Sequence, residues 1–429
     1  MKQLLTTVLT LIFVGVLYAQ QPKVNQDRLE DRIFDLAEFG LQENGETERV
    51  AFSDADIDAR NWAIKTLKGY GMEVKVDAAG NIIGKREGTD SSKKPIAFGS
   101  HIDRVPNGGN YDGCVGSMAA LEVIATLNEN NIKTNHPLEV IIFPNEEGGV
   151  MGSRAMAGNL GKSALSVVNS TGYSMGEGIM RIGGDTTKLA NAKREKGSLA
   201  AFLELHIEQG GKLEKENLDI GVVEGIVGLN WWDVVFTGFA NHAGTTPMDA
   251  RQDALLAAAK YIVAVNEITN SFEGTQVGTV GRIKAEPGAP NVIPGKVTAS
   301  LEIRDLSSEV IQKVYEAIKK KTEEIAKASN VSGEFLPLDT TAEPALTDTN
   351  IQKEIESSAK VLGLSYQYMP SGAGHDAQDI SRFAPVGMIF VPSKGGISHS
   401  PKEFTSAEDI ANGANVLLQT ILSLDKKLD

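Results

Sequence analysis

Two rhythms of strand and helix share this chain, and the second interrupts the first. From MEVKVD (72–77) onward strands alternate with helices: NIIGKR, KPIAFGS, the helix SMAALEVIATLNEN, then LEVIIFPNEEGG, an apolar strand ending in acids. That alternation implies an α/β fold with a mainly parallel, helix-covered sheet. Near residue 212 the order changes. WWDVVFTG (231–238), a helix from Ala250 to Val265, the strand pair in GTVGRIKAEPG and KVTASLEIRD, the helix SSEVIQKVYEAIKKKTEEIAKAS and the strand GEFLPLD read β-α-β-β-α-β. This is the ferredoxin-like order. After about residue 333 the first rhythm returns, with a helix at 350–362, the strand PVGMIFVPS and a last helix near 406–424. The predicted division is a metal-binding catalytic domain of residues 20–211 and 334–429, with an inserted domain at 212–333.

Residues 1–19 stand apart. MKQLLTTVLTLIFVGVLYAQQ has a lysine at 2, an apolar run from Leu4 to Leu17, and Ala19 before two glutamines. This is the pattern of a secretory signal peptide cut near Ala19. The apolar run falls short of the ~20 residues of a membrane span. An exported protein, periplasmic or secreted, with no membrane attachment after cleavage is expected. The single cysteine, Cys114, cannot form an intrachain disulfide and reads as a small buried residue beside Gly113 and Gly116. A net charge of −14 offers no basic face for nucleic acid.

Metal and ligand sites in open α/β sheets gather at the carboxyl ends of strands. His101, Asp112, the pair Glu146-Glu147 and His399 sit at strand ends or in the loops that follow, and His206 lies inside LELHIEQG. A lone histidine is more often a packed or surface residue, and paired glutamates usually form a solvated face. Here Glu146-Glu147 directly follows a strongly apolar strand, where a solvated face is not expected. Histidine nitrogen with carboxylate oxygen suits zinc, and the same mixture accepts manganese or cobalt. Asp103, two residues past His101, can accept the second ring N–H of a ligating histidine. Asp112 follows a glycine-rich bend and can bridge two metals. Of the two adjacent glutamates, one can bind metal while the other acts as general base.

GSHIDRVPNGGNYDG, FPNEEGG, ELHIEQG, NHAGTTPM, APNVIPG, SGAGHDAQ and ISHSPKEF together resemble the amidase, hydantoinase/carbamoylase family of the dinuclear metallopeptidase superfamily. Its members include N-carbamoyl-L-amino-acid hydrolases, allantoate amidohydrolases and β-ureidopropionases. The resemblance spans nearly the whole mature chain and implies two divalent metal ions per subunit, zinc before manganese or cobalt. It implies His101, Asp112, Glu147, His206 and His399 as ligands, with Asp112 bridging. Glu146 would be the general base and Asp103 the carboxylate behind His101. The inserted unit would be a lid and dimerisation domain of a homodimer, with His242 stabilising the oxyanion from across the interface. Asn291 and Arg304 would hold a substrate carboxylate, while Gln209 and His375 line the pocket. Arg104 departs from the family, where threonine is common, and puts substrate choice in doubt.

The expected activity is metal-dependent hydrolysis of a linear ureido C–N bond in a small carboxylate, an N-carbamoyl-L-amino acid or allantoate, releasing ammonia and carbon dioxide. A di-zinc aminoacylase or dipeptidase is the nearer alternative. A non-catalytic binding protein on the same fold would have lost ligands, and none is missing from these motifs.

Overall fold

The computed structural model describes residues 21–43, 45 and 47–429, so the expected signal segment 1–19 lies outside the described residues. The centre is a nine-stranded sheet in the order Glu73–Val76, Ile82–Arg86, Leu138–Phe143, Ile96–His101, Ala201–Ile207, Val386–Val391, Ile220–Ile226 and Ala345–Leu346, with Tyr366–Ser371 also paired to Ile220–Ile226. Its middle is parallel. Ile96–His101 runs alongside both Leu138–Phe143 and Ala201–Ile207, and Val386–Val391 alongside Ala201–Ile207. Antiparallel pairs lie toward the flanks.

The four middle strands are buried at every position. They therefore read as continuous apolar runs, the mark of a sheet covered on both faces. The helix Cys114–Glu129 is buried along nearly all its length and packs with Gln26–Glu38 and Ala407–Lys427 on one face. Because these strands are parallel, their carboxyl ends meet on one side. His101 closes its strand, and Glu146 and Glu147 follow Phe143. His206 sits one residue before its strand ends, and the segment after Val391 leads to His399.

The second unit is a five-stranded sheet in the order Ile283–Glu286, Lys296–Asp305, Gly228–Thr237 and Ser332–Ala342, with Val277–Thr279 also paired to Lys296–Asp305. Every pair is antiparallel. Two helices, Ala254–Ser271 and Ser308–Ala328, pack on it, which gives the ferredoxin-like order. In Lys296–Asp305 the residues Val297, Ala299, Leu301 and Ile303 are buried, while Thr298, Ser300, Glu302 and Arg304 are half-buried on the other face. The period of two settles which side Arg304 presents.

The edges of this unit differ from those expected. Ile220–Ile226 belongs to the large sheet, so the second unit begins at Gly228 rather than 212. Its last strand runs to Ala342, past the expected domain boundary at 333. IGVVEGI is an apolar strand without a flanking signal of allegiance, and its parallel partner Tyr366–Ser371 lies beyond the whole insertion. No helix among the described residues is long and apolar enough to cross a membrane.

Candidate metal centre

Asp112 is the hub of the strand-end cluster. Its Oδ1 lies 3.2 Å from His206 Nε2 and 3.6 Å from His101 Nε2. Its Oδ2 lies 3.3 Å from His399 Nε2, which is also 3.4 Å from Glu147 Oε2. Two potential ligand groups result, His101–Asp112–His206 and Asp112–Glu147–His399, with Asp112 common to both. The first is wholly buried, and the second opens to solvent through His399.

The tautomers suit a cation. His101 Nδ1 lies 3.1 Å from the Asp103 carbonyl oxygen, and His206 Nδ1 lies 2.9 Å from that of Ile207. Both contacts place the ring proton on Nδ1 and leave the Nε2 lone pair facing Asp112. Among the described residues His101 Nε2 is buried without a hydrogen-bond partner, while His206 Nε2 accepts the Gly113 N–H at 3.1 Å. Lone pairs converging on carboxylate oxygens repel unless a cation lies between them, so the residues present fit divalent metal ions. Gly113 makes the approach possible. Its φ is +63°, and a Cβ there would sit 2.2 Å from His101 Nε2.

Charges in the cluster perturb one another. Burial pushes Glu146 well above the usual carboxylate range. Burial, then the Asp112 charge, raises Glu147 to about 7. Burial acts on Asp112 in the same direction, but His206, His101 and His399 outweigh it and hold that group well below its ordinary value. Such opposed shifts inside one cluster mark a candidate functional site. Glu146 Oε2 lies 3.7 Å from His101 Nε2, beside the ligand groups.

Strain gathers here too. Among the described residues nine non-glycine residues have positive φ, and four of them, Asn145, Val150, Gln209 and His399, lie in the segments that follow the strands ending at Phe143, Ile207 and Val391. Each left-handed non-glycine residue costs on the order of 1–3 kcal/mol, and a β-branched valine is an unusual choice for it.

One expectation needs correction. Asp103 does not orient His101 through its carboxylate, whose nearest oxygen is 3.9 Å from Nδ1. It orients the ring through its backbone carbonyl. Arg104, where the family commonly has threonine, is turned to Thr47. It is 1% exposed, its Nη1 donates to Thr47 Oγ1 at 2.7 Å, and its Nε and Nη2 are buried without partners. Asp376 is buried. It is the first residue of the helix Asp376–Ile380, with His375 at the cap position, and its Oδ1 accepts from Ser153 Oγ at 2.5 Å.

The residues expected to meet substrate fall into two groups. Gln209 and His375 stand at the cluster. Gln209 Nε2 donates to Asp112 Oδ2 at 2.6 Å. The buried His375 ring lies edge-on to His206 with centroids 4.4 Å apart. His242 and Asn291 are together on the second unit, where Val292 pairs with His242 and the Ala243 N–H donates to the Asn291 carbonyl at 3.0 Å. Among the described residues no hydrogen bond or ion pair joins these two to the metal cluster. Arg304 reaches across, donating from Nη1 to the Gly372 carbonyl at 2.8 Å, and its Nε pairs with Glu302.

Sequence reasoning missed Ser398 and Glu403, which lie within the ISHSPKEF stretch that carries His399. Ser398 Oγ is 2.7 Å from Asp112 Oδ2, and Glu403 Oε1 accepts the backbone N–H groups of Tyr111 and Asp112. Only their nearness to His399 in sequence could have pointed to them.

Comparison with known proteins places this geometry. Residues 97–423 match peptidase family M20/M25/M40. An N-carbamoyl-L-amino acid amidohydrolase of Geobacillus stearothermophilus is 41% identical over 406 residues, covering 94% of this chain and 99% of that protein. An allantoate amidohydrolase of Bacillus subtilis is 34% identical over 409 residues, covering 93% of this chain and 98% of its own. A crystal structure of an amidase of the hydantoinase/carbamoylase family from Burkholderia multivorans matches with a TM-score of 0.88 at 35% identity, over 94% of this chain and 99% of that one.

Proposed function

The chain belongs to peptidase family M20/M25/M40, and from that membership we propose how its residues divide the work of an amidohydrolase. It is a metal-dependent hydrolase of a linear ureido C–N bond. The observation that carries the reading is the sharing of Asp112 between two ligand groups with Glu146 beside them. We propose zinc as the resident metal, held by His101, Asp112, His206, Glu147 and His399. When bound, the divalent ions supply Lewis acidity, which polarises the scissile carbonyl and makes water acidic near neutral pH.

The protein's own groups do the rest. Glu146, raised by burial, accepts a proton from the attacking water and returns it to the departing nitrogen. His242 Nδ1 accepts the N–H groups of Gly244 and Thr245 at 3.0 and 3.1 Å. The neutral ring therefore carries its proton on Nε2, ready to donate to the oxygen that gains charge. His242 is exposed on the second unit, and we propose that it serves the site of a partner subunit in a homodimer. Arg304 and Asn291 hold the substrate carboxylate, and Gln209 and His375 line the floor. Residues 1–19 would export the protein to a periplasmic or secreted location.

The experiment is ammonia release from N-carbamoyl-L-amino acids, allantoate and β-ureidopropionate, before and after chelation and with zinc or manganese restored. Ureido substrates should be cleaved and dipeptides left intact. Cleavage of dipeptides alone would favour an aminoacylase or dipeptidase.

A further inference from the structure

Glu403 is buried, at 5% exposure, directly against the loop that carries the metal bridge. Its Oε1 accepts the N–H groups of Tyr111 and Asp112 at 2.9 and 3.0 Å. Its Oε2 lies 2.8 Å from Ser398 Oγ, and that same hydroxyl lies 2.7 Å from Asp112 Oδ2. The loop is pressed onto this carboxylate, for a Cβ at Gly109 would lie 2.3 Å from Glu403 Oε1. One side chain thus ties together two strand-end loops, one delivering Asp112 and the other delivering His399.

A serine hydroxyl has a single proton to donate. Ser398 faces two carboxylates and can satisfy only one. Which oxygen receives the proton depends on what else Asp112 Oδ2 holds. With positive charge on Asp112, Ser398 turns its proton to Glu403. Without it, Asp112 competes for the same proton, and Gln209 Nε2 fills a second position on Oδ2. The outer groups are therefore arranged to respond to occupancy of the bridge.

We infer that Glu403 is a positioning residue for the bridging carboxylate, fixing Asp112 through its backbone amide and, through Ser398, its outer oxygen, and thereby setting metal affinity. The inference rests on the reading of the cluster as a two-cation centre. Outer groups of this kind commonly change metal affinity 10–100-fold.

The test is zinc affinity of the purified protein, measured by competition with a chromogenic chelator. Glu403→Ala should bind zinc about 10–100-fold more weakly. Glu403→Gln keeps an oxygen for the two amides and should lose less than Glu403→Ala. Ser398→Ala, which removes one hydrogen bond and is the milder change should Glu403→Ala not fold, should lose about three- to tenfold. At saturating zinc kcat should recover while KM stays unchanged, a split that a general loss of structure would not produce. Wild-type zinc affinity in folded Glu403→Ala or in Ser398→Ala, or equal losses in Glu403→Ala and Glu403→Gln, overturns the inference alone. If the wild-type protein takes up no zinc or manganese, the two-cation reading falls with it.

Discussion

The Asp103 carboxylate accepts the backbone N–H groups of both Glu146 and Glu147, one on each oxygen, at 3.2 and 3.3 Å. A side chain two residues past a strand end thus fixes the loop bearing the proposed base and a proposed ligand. Asp103→Ala would leave two buried amides without partners, each costing roughly 1–3 kcal/mol. The expected result is a fall of about 10–100-fold in both kcat and metal affinity. Asp103→Asn keeps one acceptor and should fall between. Metal titration with steady-state rates checks this, and unchanged values in Asp103→Ala would show the tether to be idle.

Glu146→Gln separates base from ligand. Metal content should stay at the wild-type value, because both ligand groups are complete without Glu146. Turnover should drop by about 10²–10⁴, the range for a lost general base. Elemental analysis beside rate measurement decides it. A variant that loses metal as well makes Glu146 a ligand.

Arg304 is partly committed in this structure. Its Nε pairs with Glu302 and its Nη1 with the Gly372 carbonyl, so each two-pronged edge of the guanidinium has one prong taken. A substrate carboxylate must displace one of them to bind through two bonds. Glu302→Gln removes the competing charge and should lower KM for carboxylate substrates, by at most about fivefold for a pair this exposed. Arg304→Lys loses the fork and should raise KM about tenfold or more. The corresponding methyl esters should respond to neither change. Equal effects on acid and ester would remove Arg304 from carboxylate recognition.

Asp56 predicts a pH effect on stability. Burial lifts its carboxyl to about 6 from an ordinary 3.8, although Arg60 pulls the other way. A folded-state value above the unfolded one means that the folded protein holds the proton more tightly. The resulting stability is complete below about pH 3.8 and is lost as pH rises through about 6, on the order of 2–3 kcal/mol in all. Asp56→Asn should flatten this slope while still accepting the Phe52 N–H that Asp56 Oδ2 now takes at 2.8 Å. Urea unfolding of both proteins between pH 4 and 7 gives the difference, in which any shared metal contribution cancels. Parallel curves would contradict a raised Asp56.

The cluster of His101, Asp112, Glu147, His206 and His399 was legible because parallel strands put short sequence motifs at one edge, and apolar runs ending in His or Glu announce themselves. The lid strand bearing Arg304 was legible from its period of two. Contacts made by distant partners were not. Glu403 meets Asp112 across nearly three hundred residues, and nothing local to KEF signals that its carboxylate faces two amides. The role of Asp103 misread for a related reason. An H-x-D spacing puts a carboxylate near a ring, but the backbone carbonyl was nearer, and the acid was free to hold the next loop. Ile220–Ile226 fell inside the expected insertion because its parallel partner strand, Tyr366–Ser371, comes only after that insertion.

The left-handed residues of the site loops have a consequence for the evolution of this scaffold. Asn145, Val150, Gln209 and His399 hold backbone shapes that glycine would adopt with less strain. Glycine at Val150 would relieve that strain but loosen the turn after Glu146 and Glu147. Selection for heat resistance alone would tend to relax such turns, and selection for turnover would restore them. Laboratory lineages driven only by thermal tolerance should therefore accumulate changes at these four positions and drift toward a sturdier, slower protein.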